Sequence, residues 1–143
     1  MIAFIVLILI NLLILQQTRE PPQLIAIKEK YKTLRKHLID TKHPKFQMLT
    51  RSIPITGVER MNGNIGYNTN KGQEIAVCID GGNPNEIFHV LLHELSHCTV
   101  TEYSHSDQFW NNFLELRDIC IKLGIYEKIP EKTKFCGEHI QDK

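Results

Sequence analysis

The chain has 143 residues, 42% of them hydrophobic and 23% charged, with 17 Lys+Arg against 16 Asp+Glu. That length allows one domain with its own core and excludes a second catalytic domain, and the ordinary Gly and Pro counts exclude collagen-like or disordered chains. A net charge of +1 argues against a protein whose main task is to coat nucleic acid, and four cysteines are too few to build a disulfide scaffold.

The hydrophobic residues are unevenly spread. From Ile2 to Leu15 every residue except Asn11 is apolar. The run is shorter than the roughly 20 residues of a spanning helix, but Met1 and the uncharged Gln16, Gln17 and Thr18 extend it enough for a thin bilayer. No Lys or Arg precedes it and no small-residue cleavage site follows, which disfavours a cleaved signal peptide. A core helix apolar on all sides would suit a larger protein. Residues 1–18 are therefore expected to form a single-pass transmembrane anchor. Between Arg19 and Lys45, eight basic residues against three acidic ones leave +5. The positive-inside rule then places the N-terminus outside or in a lumen and the body in the cytosol, where Cys78, Cys98, Cys120 and Cys136 would stay reduced. The basic stretch could also meet anionic headgroups or a phosphate backbone, although a solvated helix face explains it first.

After Pro21-Pro22, the apolar residues Leu24, Ile27, Tyr31, Leu34 and Leu38 recur at helical spacing, and residues 41–44 break the pattern. Residues 46–58 read as extended segments with turns at Pro54 and Gly57. A turn at 62–64 precedes a short strand over 65–68, and Asn70-Lys71-Gly72 leads into a strand over 74–80. There Ile75, Val77 and Ile79 alternate with Ala76, Cys78 and Asp80, as in a half-buried strand with Cys78 as a small filler. Asn83, Pro84 and Glu86 form a capping box that opens a helix running to about Cys98. Ser106-Asp107 caps a last helix with the stripe Phe109, Phe113, Leu116, Cys120 and Leu123, which Gly124 stops. Beyond Ile125 a short charged tail, residues 128–143, is expected to be loosely held. The body thus spans residues 19–127 and should be monomeric.

The chemistry concentrates in His93-Glu94-Leu95-Ser96-His97 on the capped helix. Two histidines four apart share one face, about 6 Å from each other, so both imidazoles can meet one zinc ion. Glu94 lies too far round the helix to bind the metal well, but it can act as general base. It can take the proton of a water whose pKa the zinc lowers and pass it to the leaving nitrogen. With seven His and eleven Glu in the chain, chance would produce this pattern about 0.03 times. A third ligand is required. His105 can return to the metal across a short loop, and Glu102 is the alternative because carboxylates also complete such sites. His89, about 12 Å along the axis from His97, cannot share a metal with both others and reads as a supporting or surface histidine. Asp107 could orient His105 or simply cap its helix.

Three stretches, 66–75 (GYNTNKGQEI), 93–97 (HELSH) and 105–110 (HSDQFW), resemble in order the signature blocks of the WLM domain. WLM domains are SprT-like zinc metalloproteases, some of which cut proteins crosslinked to DNA. The likeness covers roughly residues 20–125. Metzincins are a poorer match, since Val100 stands where they have glycine and no methionine follows Met61. The resemblance implies an α+β fold with a small zincin-like core: an N-terminal helix, a short antiparallel or mixed sheet, the HExxH helix and a C-terminal helix. It also implies His93, His97 and His105 as zinc ligands, Glu94 as the catalytic base, and the strand 74–80 as the edge on which a substrate strand pairs. The expected activity is that of a membrane-tethered zinc endopeptidase acting on a protein or peptide. The alternatives are a non-catalytic zinc-containing binding module, or a SprT-like protease acting on DNA-bound proteins. The latter is weakly supported, since Tyr31 alone among the basic residues offers a stacking ring.

Overall fold

Residues 18–21 separate the first two helices of the computed structural model, which describes residues 1–59 and 63–142. Helix α1 (Ile2–Gln17) is exposed along its whole length and none of its residues is buried. Its 16 residues give a rise of about 24 Å, short of a hydrocarbon core of about 30 Å. Among the described residues no single helix is long and apolar enough to cross a membrane. Helix α1 passes that test only together with α2 (Pro22–Asp40), and the pair is bent by 54°. The buried residues of α2 are Leu24, Ile27, Tyr31, Leu34 and Leu38, the five at helical spacing.

The segment after α2 differs in detail from its reading as extended chain. Gln47–Thr50 forms a 3₁₀ turn, and Gly57 lies inside strand β1 (Ile55–Val58) rather than in a turn. A Cβ there would stand 3.1 Å from Ile79 Cδ1 and 3.2 Å from Leu24 Cδ2, so the glycine lets α2 pack closely on the sheet. Of the turn expected at 62–64, Asn62 lies outside the described residues and Gly63 has φ +76°. Strands β2 (Gly66–Thr69) and β3 (Glu74–Cys78) complete a three-stranded sheet in the order β1-β3-β2, with β3 parallel to β1 and antiparallel to β2.

The position of β3 corrects two expectations. It is the central strand, so it has no free edge to offer a substrate. Ile75, Ala76, Val77 and Cys78 are all buried, because central strands lose water on both faces. The alternation of branched residues with Ala and Cys gave the appearance of a half-exposed strand. Helix α3 (Pro84–His97) packs against β2 and β3 on one side and against α2 and α4 (Asp107–Lys122) on others. The capping box at its start is complete: Glu86 N–H donates to Asn83 Oδ1 at 2.9 Å, and Asn83 N–H donates to Glu86 Oε2 at 3.2 Å. Ser106 caps α4 through Phe109 N–H.

The C-terminal residues also depart from expectation. Strands β4 (Thr133–Phe135) and β5 (Glu138–Ile140) form an antiparallel hairpin. Cys136 and Gly137 both have positive φ, the conformation of a two-residue type I′ turn. Tyr126, Ile129, Phe135 and Ile140 are buried in the main core. Cys136 is joined to Cys78 by a disulfide across 58 residues, which overturns the expectation that both cysteines stay reduced. Cys98 and Cys120 are free. The tail looked loose because its charged residues mask four widely spaced apolar anchors.

Candidate functional site

Helical spacing brings His93 and His97 to one face of α3, and the Ser106 cap starts α4 just beyond His105. The ligating atoms of His93, His97 and His105 all lie within 4.8 Å of one another, and the Nε2 atoms of His93 and His105 are 3.0 Å apart. A tetrahedral zinc ion needs its nitrogen ligands about 3.3 Å from each other, so three imidazoles in this arrangement suit a borderline metal ion. These three histidines could hold a metal ion. Phe109 lies under the cluster, its ring 4.5 Å from that of His97, and Trp110 stacks on His105 at 5.8 Å. Burial, reinforced by the neighbouring histidines, lowers His93 to about 3. The same effect, with His105 and Lys71 adding to it, lowers His97 to about 4. Both rings are therefore neutral at pH 7 and keep lone pairs for a metal.

The other candidates separate clearly. Glu102 is held by the hydroxyl of Ser106, which lowers its pKa, and its carboxylate does not join the histidine group among the described residues. Asp107 is exposed in the first turn of α4, and no hydrogen bond joins it to His105 among the described residues. His89 is buried rather than on the surface, and its Nδ1 is 2.9 Å from the Tyr126 hydroxyl.

Glu94 stands beside the cluster with 7% of its surface exposed. Burial raises its carboxyl to about 7, so it can exchange a proton near neutrality. Strand β2 passes directly over it. A Cβ on Gly66 would come within 2.7 Å of Val90 Cγ1 and 3.2 Å of Glu94 Oε1, so only glycine permits this approach. Asn68 fixes the strand from the same face: its Nδ2 donates to Glu94 O at 2.8 Å, and its Oδ1 accepts from Gly72 N–H at 2.7 Å. Cys78 N–H donates to Ile65 O at 2.8 Å, and antiparallel ladders alternate. Gly66 and Asn68 therefore turn their own backbone N–H and C=O away from β3, toward the open edge of the sheet.

The cavity at this edge has a volume of about 640 Å³ and takes in β2, the histidines and Glu94. Glu138, His139, Ile140 and Gln141 of the C-terminal segment form part of its wall. Lys71 ties the third histidine's loop to the sheet. Its Nζ donates to His97 O at 3.0 Å and to Glu102 O at 2.6 Å, and it lies 4.5 Å from the centre of the Tyr103 ring. Sequence reasoning missed Lys71 and Asn68 as supports of the site. A polar residue on the inward face of a short strand and a lysine at a turn were the signals available for them. Nothing local pointed to the hairpin wall.

No known protein family matches this sequence, and no solved structure matches its fold. It is similar to an uncharacterised protein of Acanthamoeba polyphaga mimivirus, 32% identical over 80 residues, a match covering 50% of this chain and 41% of the relative. The chain thus spans about two fifths of that relative's length.

Proposed function

We propose that this protein is a zinc-dependent metalloendopeptidase of the SprT-like or WLM kind. The observation that carries the reading is the convergence of three imidazoles beside a buried glutamate under an open strand edge. His93, His97 and His105 would hold the ion. Zinc at such a site supplies Lewis-acid polarisation of a peptide carbonyl and activation of water at neutral pH. Glu94 takes a proton from the attacking water and delivers it to the leaving nitrogen. The extended substrate pairs with β2, where Gly66 and Asn68 present backbone donors and acceptors. Pairing through the backbone favours unfolded or extended chains over a particular side-chain sequence.

Helix α1, apolar and exposed on every side, would tether the enzyme to a membrane, although 16 residues reach across only a thinned bilayer or with help from the flanks. The basic flank favours a cytosolic body, whereas the Cys78–Cys136 disulfide favours an oxidising compartment. We give the covalent bond greater weight, because it is built into the fold and orientation by flanking charge presupposes a spanning helix. The full chain in detergent should bind about one zinc and cleave an unfolded protein such as reduced casein. Glu94→Gln should keep the zinc and lower cleavage by about 10³-fold. Zinc retained by His105→Ala would move the third position to Glu102. A wild-type protein that holds zinc but cleaves no unfolded chain would be a binding module instead.

A further inference from the structure

The turn from β2 to β3 holds three consecutive residues in the left-handed region: Asn70 (φ +45°), Lys71 (φ +50°) and Gly72 (φ +104°). Glycine and asparagine accept that conformation readily, but a lysine there crowds its own Cβ against the following carbonyl. Such a residue persists only where its surroundings hold it. Here they do. Asn68 Oδ1 accepts from Gly72 N–H at 2.7 Å, and Gln73 N–H donates to Thr69 O at 2.9 Å. Asn70 Nδ2 donates to Gln73 Oε1 at 2.8 Å, and Arg51 Nη2 donates to Gly72 O at 3.1 Å. Asn68 also donates from Nδ2 to Glu94 O at 2.8 Å, which registers the turn on α3.

This turn aims Lys71 at the loop 98–104, which carries the chain from His97 to His105. The ammonium has three hydrogens. Two go to the carbonyls of His97 and Glu102, and the Tyr103 ring lies against the same group. His97 ends α3, so its carbonyl lacks an N–H partner within the helix, and a cation suits the negative end of the helix dipole. The other supports of the loop come from the α4 side. Val100 is buried, Asn112 Nδ2 donates to Thr99 Oγ1 at 2.8 Å, and the Ser106 hydroxyl holds the Glu102 carboxylate. Among the described residues, no other hydrogen bond joins residues 99–104 to the sheet or its turns.

We propose that Lys71 is a positioning residue for the metal centre: held in a strained turn, it pins the loop 98–104 so that His105 stands against His93 and His97. The assignment rests on the zinc-binding part of the reading above and not on proteolysis. It accounts for the strain, since glycine at this position would fit the backbone but reach neither carbonyl. Residues that orient metal ligands from outside the coordination sphere contribute about 10–100-fold to affinity.

The test measures zinc affinity of the full chain in detergent, by competition with a chromophoric chelator, for wild type, Lys71→Gly, Lys71→Arg and His105→Ala. Lys71→Gly should bind zinc about 10–100-fold more weakly. Its metal-free form should unfold in urea at much the same midpoint as wild type, because glycine relieves the backbone. Lys71→Arg, whose guanidinium can donate to both carbonyls, should return affinity to within about threefold of wild type. If Lys71→Gly binds zinc within about twofold of wild type, the assignment is overturned, whether or not the midpoint falls. Loss of zinc by His105→Ala then leaves the three-histidine reading standing. In the metal-free wild type, NMR should show the Lys71 ammonium hydrogens protected from exchange. Exchange as fast as at the exposed Lys128 overturns the assignment even where a variant does not fold. Wild type that takes up no zinc removes the three-histidine reading, and this assignment with it.

Discussion

Helix α3 and the C-terminal segment 125–142 wall the same cavity but are held by opposite means. Helix α3 is specified locally, by a capping box, a proline in its first turn and a nearly continuous apolar interior. The C-terminal segment has six residues of strand in all. It is fixed by partners distant in sequence: Cys78 through the disulfide, Arg117 and His89 around Asp142, and Asn85 bonded to both backbone groups of Glu127. His93, His97 and Glu94 thus sit on a locally specified element. The opposite wall depends on the rest of the fold being assembled first.

That contrast predicts a graded series of effects on stability. The largest should come from Asp142→Ala, which leaves the Tyr126 hydroxyl and Ile129 N–H without their buried acceptor and takes one carboxylate from Arg117. The expected loss is about 3–5 kcal/mol in urea unfolding; a loss below 1 kcal/mol would show that the segment is not anchored there. Cys136→Ser should cost about 2–4 kcal/mol, since closing a loop of 58 residues removes that much chain entropy from the unfolded state. The same loss should follow reduction of the wild type, and no change in unfolding midpoint on reduction would remove the covalent part of the contrast.

The third effect depends on pH. Burial alone would raise the Asp142 carboxyl, but hydrogen bonds from His89, Ile129 N–H and Tyr126 overcome it and hold the group at about 2, against an ordinary 3.8. The folded value lies below the unfolded one, so this carboxylate stabilises the fold above about pH 4. That contribution is lost as the pH falls through 2. The stability gap between wild type and Asp142→Asn should narrow by about 2 kcal/mol from pH 5 to pH 2. A gap independent of pH would mean that the carboxylate is not held ionised. The smallest effect belongs to α3: Asn83→Ala removes one half of the capping box and should cost about 1 kcal/mol. A loss as large as that of Asp142→Ala would erase the distinction between a local and a long-range wall.

Some of the molecule was legible because its cause is local. The stripe of α2, the caps of α3 and α4, and the pairing of His93 with His97 follow from spacings of three and four along one helix. His105 could be placed near them because the loop joining α3 to α4 is short. The central position of β3 was not legible, since a strand buried on both faces and one buried on one face differ here only in whether Ala76 and Cys78 meet solvent. Strand pairing is decided by partners 5 to 20 residues away, and nothing in 74–80 says which edge remains free.

Residues within one or two turns of each other fix the helices of the body, their caps and the pairing of His93 with His97 beside Glu94, so these could be read along the chain. Packing across the fold settles which strand offers its edge, that Lys71 and Asn68 hold the histidine face in place, that Cys78 finds Cys136, and that Asp142 closes a polar cluster beside His89. These depend on contacts across tens of residues, where the chain pattern fixes neither partner nor register. The apolar run of α1 remains the counterexample on the local side. Its composition forms a helix, while the partner that would cover it lies outside anything the fold supplies.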